Sequence, residues 1–120
     1  MPRMMKAVAL VASCIVAAPA STMDAISSRD AFMQTLDGRD LRIGLYGLTL
    51  SVRDDGSIRG RAMGRDVTGD WTWQEGYFCR EMKWGSRDIP FNCQLVQADG
   101  TKMRFTTDRG AGDSADFRLR

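Results

Sequence analysis

The 120 residues carry 17 Lys and Arg against 15 Asp and Glu, with three cysteines and no histidine. That length suits one domain with one modest core. Without histidine there is no histidine-based triad and no usual near-neutral proton shuttle, and a net charge of +2 gives no footing for nucleic-acid binding.

Residues 1–20 read as an export signal. Arg3 and Lys6 form a basic head, Ala7 to Ala18 an apolar run too short to span a bilayer, and Ala18, Pro19, Ala20 a small-residue cleavage site. A second reading takes Val11, Ala12, Ser13, Cys14 as a lipobox, with Cys14 as a lipid-bearing first residue and the membrane as its anchor. Against it, Ile15 to Ala18 stays apolar where a lipoprotein usually turns polar at once. Both readings place the mature chain in the periplasm or outside the cell, and both remove Cys14 from the disulfide arithmetic. Losing Arg3 and Lys6 leaves 15 bases and 15 acids, so the charge excess belongs to targeting.

Residues 21–40 form an N-terminal segment with one short helix. Ser28 suits its N-cap, Asp30 its positive end, Phe32 and Leu36 share a face, and Gly38 suits its stop. Such a helix is expected to lie over an end or edge of the sheet that follows.

Residues 41–120 read as one all-β domain. Asp54, Asp55, Gly56 predicts a three-residue hairpin loop, setting Val52 opposite Ile58 and Leu50 opposite Gly60. A two-residue turn at Gly64 and Arg65 sets Ala62 opposite Val67 and Gly60 opposite Gly69. A three-residue loop at Gln74, Glu75, Gly76 sets Trp71 opposite Cys79. Loops at Gly85 to Arg87 and Ala98 to Gly100 set Cys79 opposite Cys93 and Cys93 opposite Phe105, and Ala115 to Leu119 forms the last strand. About eight short strands in this antiparallel meander predict a small up-and-down barrel or strongly curled sheet. A barrel of this size either fills with its own side chains or holds one small ligand, as lipocalins do.

In this register the interior takes Leu48, Leu50, Val52, Ile58, Ala62, Val67, Trp71, Trp73, Tyr77, Leu95, Met103, Phe105, Phe117 and Leu119. Gly60 and Gly69, facing each other beside Trp71, leave a space that either the Trp71 ring or a ligand occupies. Glu81 points inward opposite Phe91, at the rim. The outer face then shows an anomalous stripe of Phe78, Met82 and Trp84, with Arg80 among them and Val96 beside them. Aromatic residues with arginine are enriched in binding hot spots, so the stripe is a candidate partner or homodimer surface unless the Phe32 and Leu36 helix covers it.

Cys79 and Cys93 read as a structural disulfide closing a loop of about 15 residues, a contribution of about 3 kcal/mol. Redox and zinc roles lack the short spacing and the further ligands they need. Gly110, Gly112 and Ala115 have G-x-G-x-x-A spacing, but too little chain follows for a dinucleotide-binding unit. Asp108, Asp113 and Asp116 could gather round calcium, although no calcium-loop spacing is matched. No catalytic residue, metal ligand or cofactor is assigned.

The stretch GRDVTGDWTWQEGYFCREMKWGSRDIPFNCQ, with the turn strand Asp99 to Phe105 and the tail DRGAGDSADFRLR, resembles short exported proteins of alphaproteobacteria, especially Rhodobacter and Roseobacter relatives. That group is often named dihydrodipicolinate reductase, which implies an NAD(P)H enzyme of lysine biosynthesis. The chain has no G-x-x-G-x-M-G loop and no His-His motif, and it begins with a signal for leaving the compartment of that cofactor. The expectation is therefore a non-catalytic periplasmic β-domain that binds a small apolar ligand or an envelope protein. The alternative is an enzyme, either that reductase or a hydrolase of another kind.

Overall fold

The structure, a computed structural model, describes residues 23–120 together with Ala7, Ala9 and residues 11–13. The expected cleavage site and Cys14, with its lipid-anchor reading, lie outside the described residues. Among those described, no helix is long and apolar enough to cross a membrane.

The elements are β1 (Asp24–Ile26), α1 (Arg29–Leu36), β2 (Leu41–Ile43), β3 (Leu48–Val52), β4 (Ser57–Ala62), β5 (Arg65–Gln74), β6 (Tyr77–Trp84), β7 (Arg87–Ala98), β8 (Lys102–Thr106) and β9 (Ser114–Leu119). From β2 to β9 each strand pairs antiparallel with the next, and β9 returns to β2, so the all-β meander closes as an eight-stranded up-and-down barrel. Closure leaves no free edge among these eight. β1 adds to β7 just past the start of β6, pairing Ile26 with Val96.

Helix α1 closes one end. The Ser28 hydroxyl accepts the Ala31 N–H at 3.1 Å, and Asp37, one residue before the expected Gly38, takes the left-handed capping conformation (φ 48°). Arg39 secures the helix end by donating to the carbonyls of Thr35 (2.8 Å) and Leu36 (3.2 Å), and its remaining nitrogen reaches Gly100 O (3.0 Å) in the β7–β8 loop. Phe32 and Leu36 are fully buried against the strands. The Phe32 ring meets Trp71, Trp73, Phe78 and Phe105 at centroid distances of 5.3–6.3 Å, so the helix is the barrel's floor.

The turns correct the expected register. β3 and β4 pair as expected, Val52 with Ile58 and Leu50 with Gly60. The next turn is Met63 and Gly64 (φ 49° and 77°), which sets Gly60 against Val67 and Ile58 against Gly69. This moves the pairing by two residues and leaves every side chain on its expected face. The β5–β6 turn is Glu75 and Gly76 alone (φ 51° and 87°), a two-residue turn with both residues left-handed, so Trp73 pairs with Phe78 and Trp71 with Arg80. One residue fewer in the loop turns β6 over. Phe78, Arg80, Met82 and Trp84 face the barrel interior, and Tyr77, Cys79, Glu81 and Lys83 face out.

β7 turns over with β6. Cys79 does pair with Cys93, through a shorter turn at Gly85 and Ser86 combined with a bulge between Arg80 and Met82. Val96 is fully buried in the interior, whereas Tyr77 and Leu95 lie outside beneath residues 107–113. There Arg109 sits 5.3 Å over the Tyr77 ring and pairs with Glu75 at 3.4 Å. The β7–β8 loop then restores the expected face. It holds four residues rather than three, because the Asp99 carboxylate accepts the N–H groups of Thr101 (3.1 Å) and Lys102 (2.9 Å), which also hold its pKa below the usual aspartate value.

Cys79 and Cys93 form a disulfide directly across β6 and β7, with Cα atoms 3.9 Å apart. It staples a hairpin on the barrel's outer face. Reduction is expected to lower stability by about 3 kcal/mol, the loop-closure value for a cross-link of this span. Urea melts of oxidised and reduced, alkylated protein measure this, and coincident midpoints would exclude a structural contribution.

Candidate ligand-binding cavity

Above the aromatic floor the barrel is hollow. A cavity of about 260 Å³ is walled mainly by apolar side chains, among them Leu50, Val52, Ile58, Met82 and Phe117, with Phe78 and Phe105 at its base. A second, wholly apolar pocket lies at the mouth between Leu48, Ala62, Trp84 and Ile89, and shares Leu50, Met82 and Phe117 with the first. The two form one apolar path from the mouth to the floor. At its outer lip, Tyr46 and Met63 are 55 % and 68 % exposed.

The structure brings four of the sequence-selected residues to this space and places three elsewhere. Phe78 lies in the floor, stacked on Trp71 at 5.5 Å, and is 4 % exposed. Met82 stands between cavity and mouth. Trp84 forms the mouth wall, where its indole N–H donates to Ala62 O at 2.8 Å and Arg65 covers its ring at 5.1 Å. Arg80 reaches the cavity from the middle of β6. The expected outer stripe is therefore an inner one.

Trp71 belongs to the floor. Its indole N–H donates to Arg53 O at 2.7 Å, and Arg29 lies 4.9 Å over its ring. Gly60 and Gly69 do not face each other and line neither pocket. A Cβ on Gly60 would stand 1.9 Å from Thr49 O, and one on Gly69 would stand 2.4 Å from Glu81 O. These glycines serve close approach of neighbouring backbone, and the space beside each is taken up by the adjacent strand.

The polar groups of the cavity are few. Arg80 donates to Pro90 O at 2.6 Å and forms no ion pair among the described residues. Burial lowers its pKa from the ordinary arginine value, yet a guanidinium stays protonated. Gln94, 7 % exposed, also lines the cavity. Sequence reasoning missed Gln94 because inverting β7 put it outside. The signal was present in β6, where the set Phe78, Met82, Trp84 is more apolar than Tyr77, Cys79, Glu81, Lys83. Glu81, expected inside, is exposed beside the bulge opposite Asp70.

The acidic tail does not gather. Asp108 and Asn92 exchange hydrogen bonds at 2.8 and 3.0 Å, while Asp116 pairs with Arg104 at 2.7 and 3.0 Å. No group of three His, Cys, Asp or Glu among the described residues could hold a metal. The Gly110–Ala115 motif runs into strand β9, without the helix that a dinucleotide site requires.

Fold and cavity together define a small up-and-down barrel, stapled on its wall, floored by a helix and open to an apolar interior at the other end. Compared with protein-family models, curated proteins and solved structures, the chain matches none.

Proposed function

We propose that this protein is a non-catalytic binding barrel of the periplasm or extracellular space that takes a small apolar ligand through its open end. The observation that carries the reading is the apolar cavity of about 260 Å³ above the aromatic floor, since a barrel with no such function can fill that volume with its own side chains. The exposed Tyr46 and Met63 of the mouth pocket give an apolar molecule an apolar way in. The Cys79–Cys93 disulfide favours an oxidising compartment. An envelope-protein partner is the weaker reading, because the aromatic stripe that suggested it faces the interior. An enzyme is weaker still, because Asp113, the one acid of the cavity lining among the described residues, is exposed.

The test is titration with 1-aminoanthracene, an apolar dye whose emission rises when it leaves water. Saturable one-to-one binding is expected, and Ala115→Trp, which adds a bulky ring at the exposed edge of the cavity lining, should weaken it about tenfold or more. Absence of saturable binding, or equal binding by the Ala115→Trp variant, would overturn the reading. Saturable NADPH binding with turnover of dihydrodipicolinate would replace it with the enzyme.

A further inference from the structure

Arg80 is half-buried, and its place in the cavity lining carries a desolvation cost. A guanidinium drawn into an apolar wall loses hydration, and a buried cation is ordinarily matched by an acid. Arg80 has a single protein acceptor, Pro90 O at 2.6 Å, against five N–H donors, and no carboxylate within ion-pair distance among the described residues. Gln94 lies one register step away, because Phe78 pairs with Gln94 and Arg80 with Asn92 on the same face. Its side chain has no hydrogen-bond partner in the protein among the described residues, yet no buried side-chain nitrogen or oxygen is left orphaned, so its amide opens onto the cavity. A cation and an amide thus stand side by side with unused hydrogen-bonding capacity in a mainly apolar chamber, whose other polar lining residues, Thr107, Asp113 and Ser114, lie toward its exposed edge. Asp113, the one acid of the lining, is exposed at the rim, where water screens it.

Resting on the cavity reading above, we propose that the ligand is an anionic amphiphile, a medium-chain carboxylate, with its head on Arg80 and Gln94 and its chain against Leu50, Ile58, Met82 and Phe117. A carboxylate fits because the planar guanidinium fork matches its two oxygens, and a single cation matches a single charge. The cavity of about 260 Å³ equals roughly nine water-sized groups at ~30 Å³ each, the scale of an eight-carbon acid. A longer chain continues into the mouth pocket past Met82 and Phe117.

Calorimetric titration with octanoate and with 1-octanol, the same chain without charge, separates the head-group inference from the cavity reading. A purely apolar chamber prefers the alcohol, since a carboxylate costs more to strip of water. The parent protein is expected to bind octanoate about tenfold or more tighter than 1-octanol, and Arg80→Met to lose that preference while still binding the alcohol. Equal or tighter binding of 1-octanol by the parent would overturn the carboxylate inference and leave the cavity reading standing. So would an octanoate preference that persists in Arg80→Met. Binding of neither molecule would remove both. The parent comparison needs no variant, so it decides the matter even if Arg80→Met fails to fold.

Discussion

Phe32→Ala should cost this protein about 3–5 kcal/mol, the range for removing a fully buried aromatic ring. Phe32 has no exposed surface and touches four other rings, on β5, β6 and β8. Its loss removes the anchor of α1 and leaves a void that Trp71 and Phe78 cannot close, since both are already stacked and Trp71 is tied to Arg53 O. At about 4–8 °C per kcal/mol for a domain of this size, the melting temperature should fall by more than ten degrees. Phe91, 56 % exposed, is the control, and its alanine variant should stay within about 0.5 kcal/mol of the parent. Thermal and urea unfolding of both variants provide the measurement. Equal stability of the two would mean that the helix does not floor the barrel.

The elements around that floor were legible in sequence because each was specified locally. Ser28, Asp30 and the Phe32–Leu36 spacing mark a helix by capping and periodicity, and the alternating strands mark a meander whose closure needs only β9 to return to β2. The cavity wall was not legible, for a reason confined to two loops. Glutamate rarely takes the left-handed conformation, so Gln74, Glu75, Gly76 suggested a three-residue loop with glycine alone at positive φ, whereas Glu75 itself adopts φ 51°. Asp99 lengthens the later loop by accepting two backbone N–H groups, which turn-residue composition alone does not reveal. The two errors cancel, which is why β8 and β9 face as expected while β6 and β7 between them do not. Arg80 and Gln94 lie on those two strands, so a pair of loop lengths hid the polar part of the candidate site.

Replacing Gly60 with alanine should cost about 3 kcal/mol or more, the upper range of overpacking penalties, although the change adds a single methyl group. Nothing about the φ of Gly60 calls for glycine; the reason is space. The added Cβ would stand 1.9 Å from Thr49 O, 2.9 Å from Thr49 C and 3.0 Å from Leu50 Cα, all backbone atoms of β3 that cannot rotate away. Relief therefore requires β3 and β4 to separate where Leu50 pairs with Gly60, and Leu50 lines both the cavity and the mouth pocket. Gly44→Ala is the matched control, because its Cβ would meet nothing within 4 Å and its φ is not in the left-handed region. That variant should be neutral or slightly stabilised, by up to about 1 kcal/mol, through a less flexible unfolded chain. Denaturant unfolding of the two proteins, with dye titration of whatever Gly60→Ala remains folded, tests the close approach and the cavity together. A Gly60→Ala protein as stable as the Gly44→Ala protein would show that β3 and β4 do not approach this closely. A destabilised but folded one with weakened dye binding would tie this close approach to the shape of the chamber behind it.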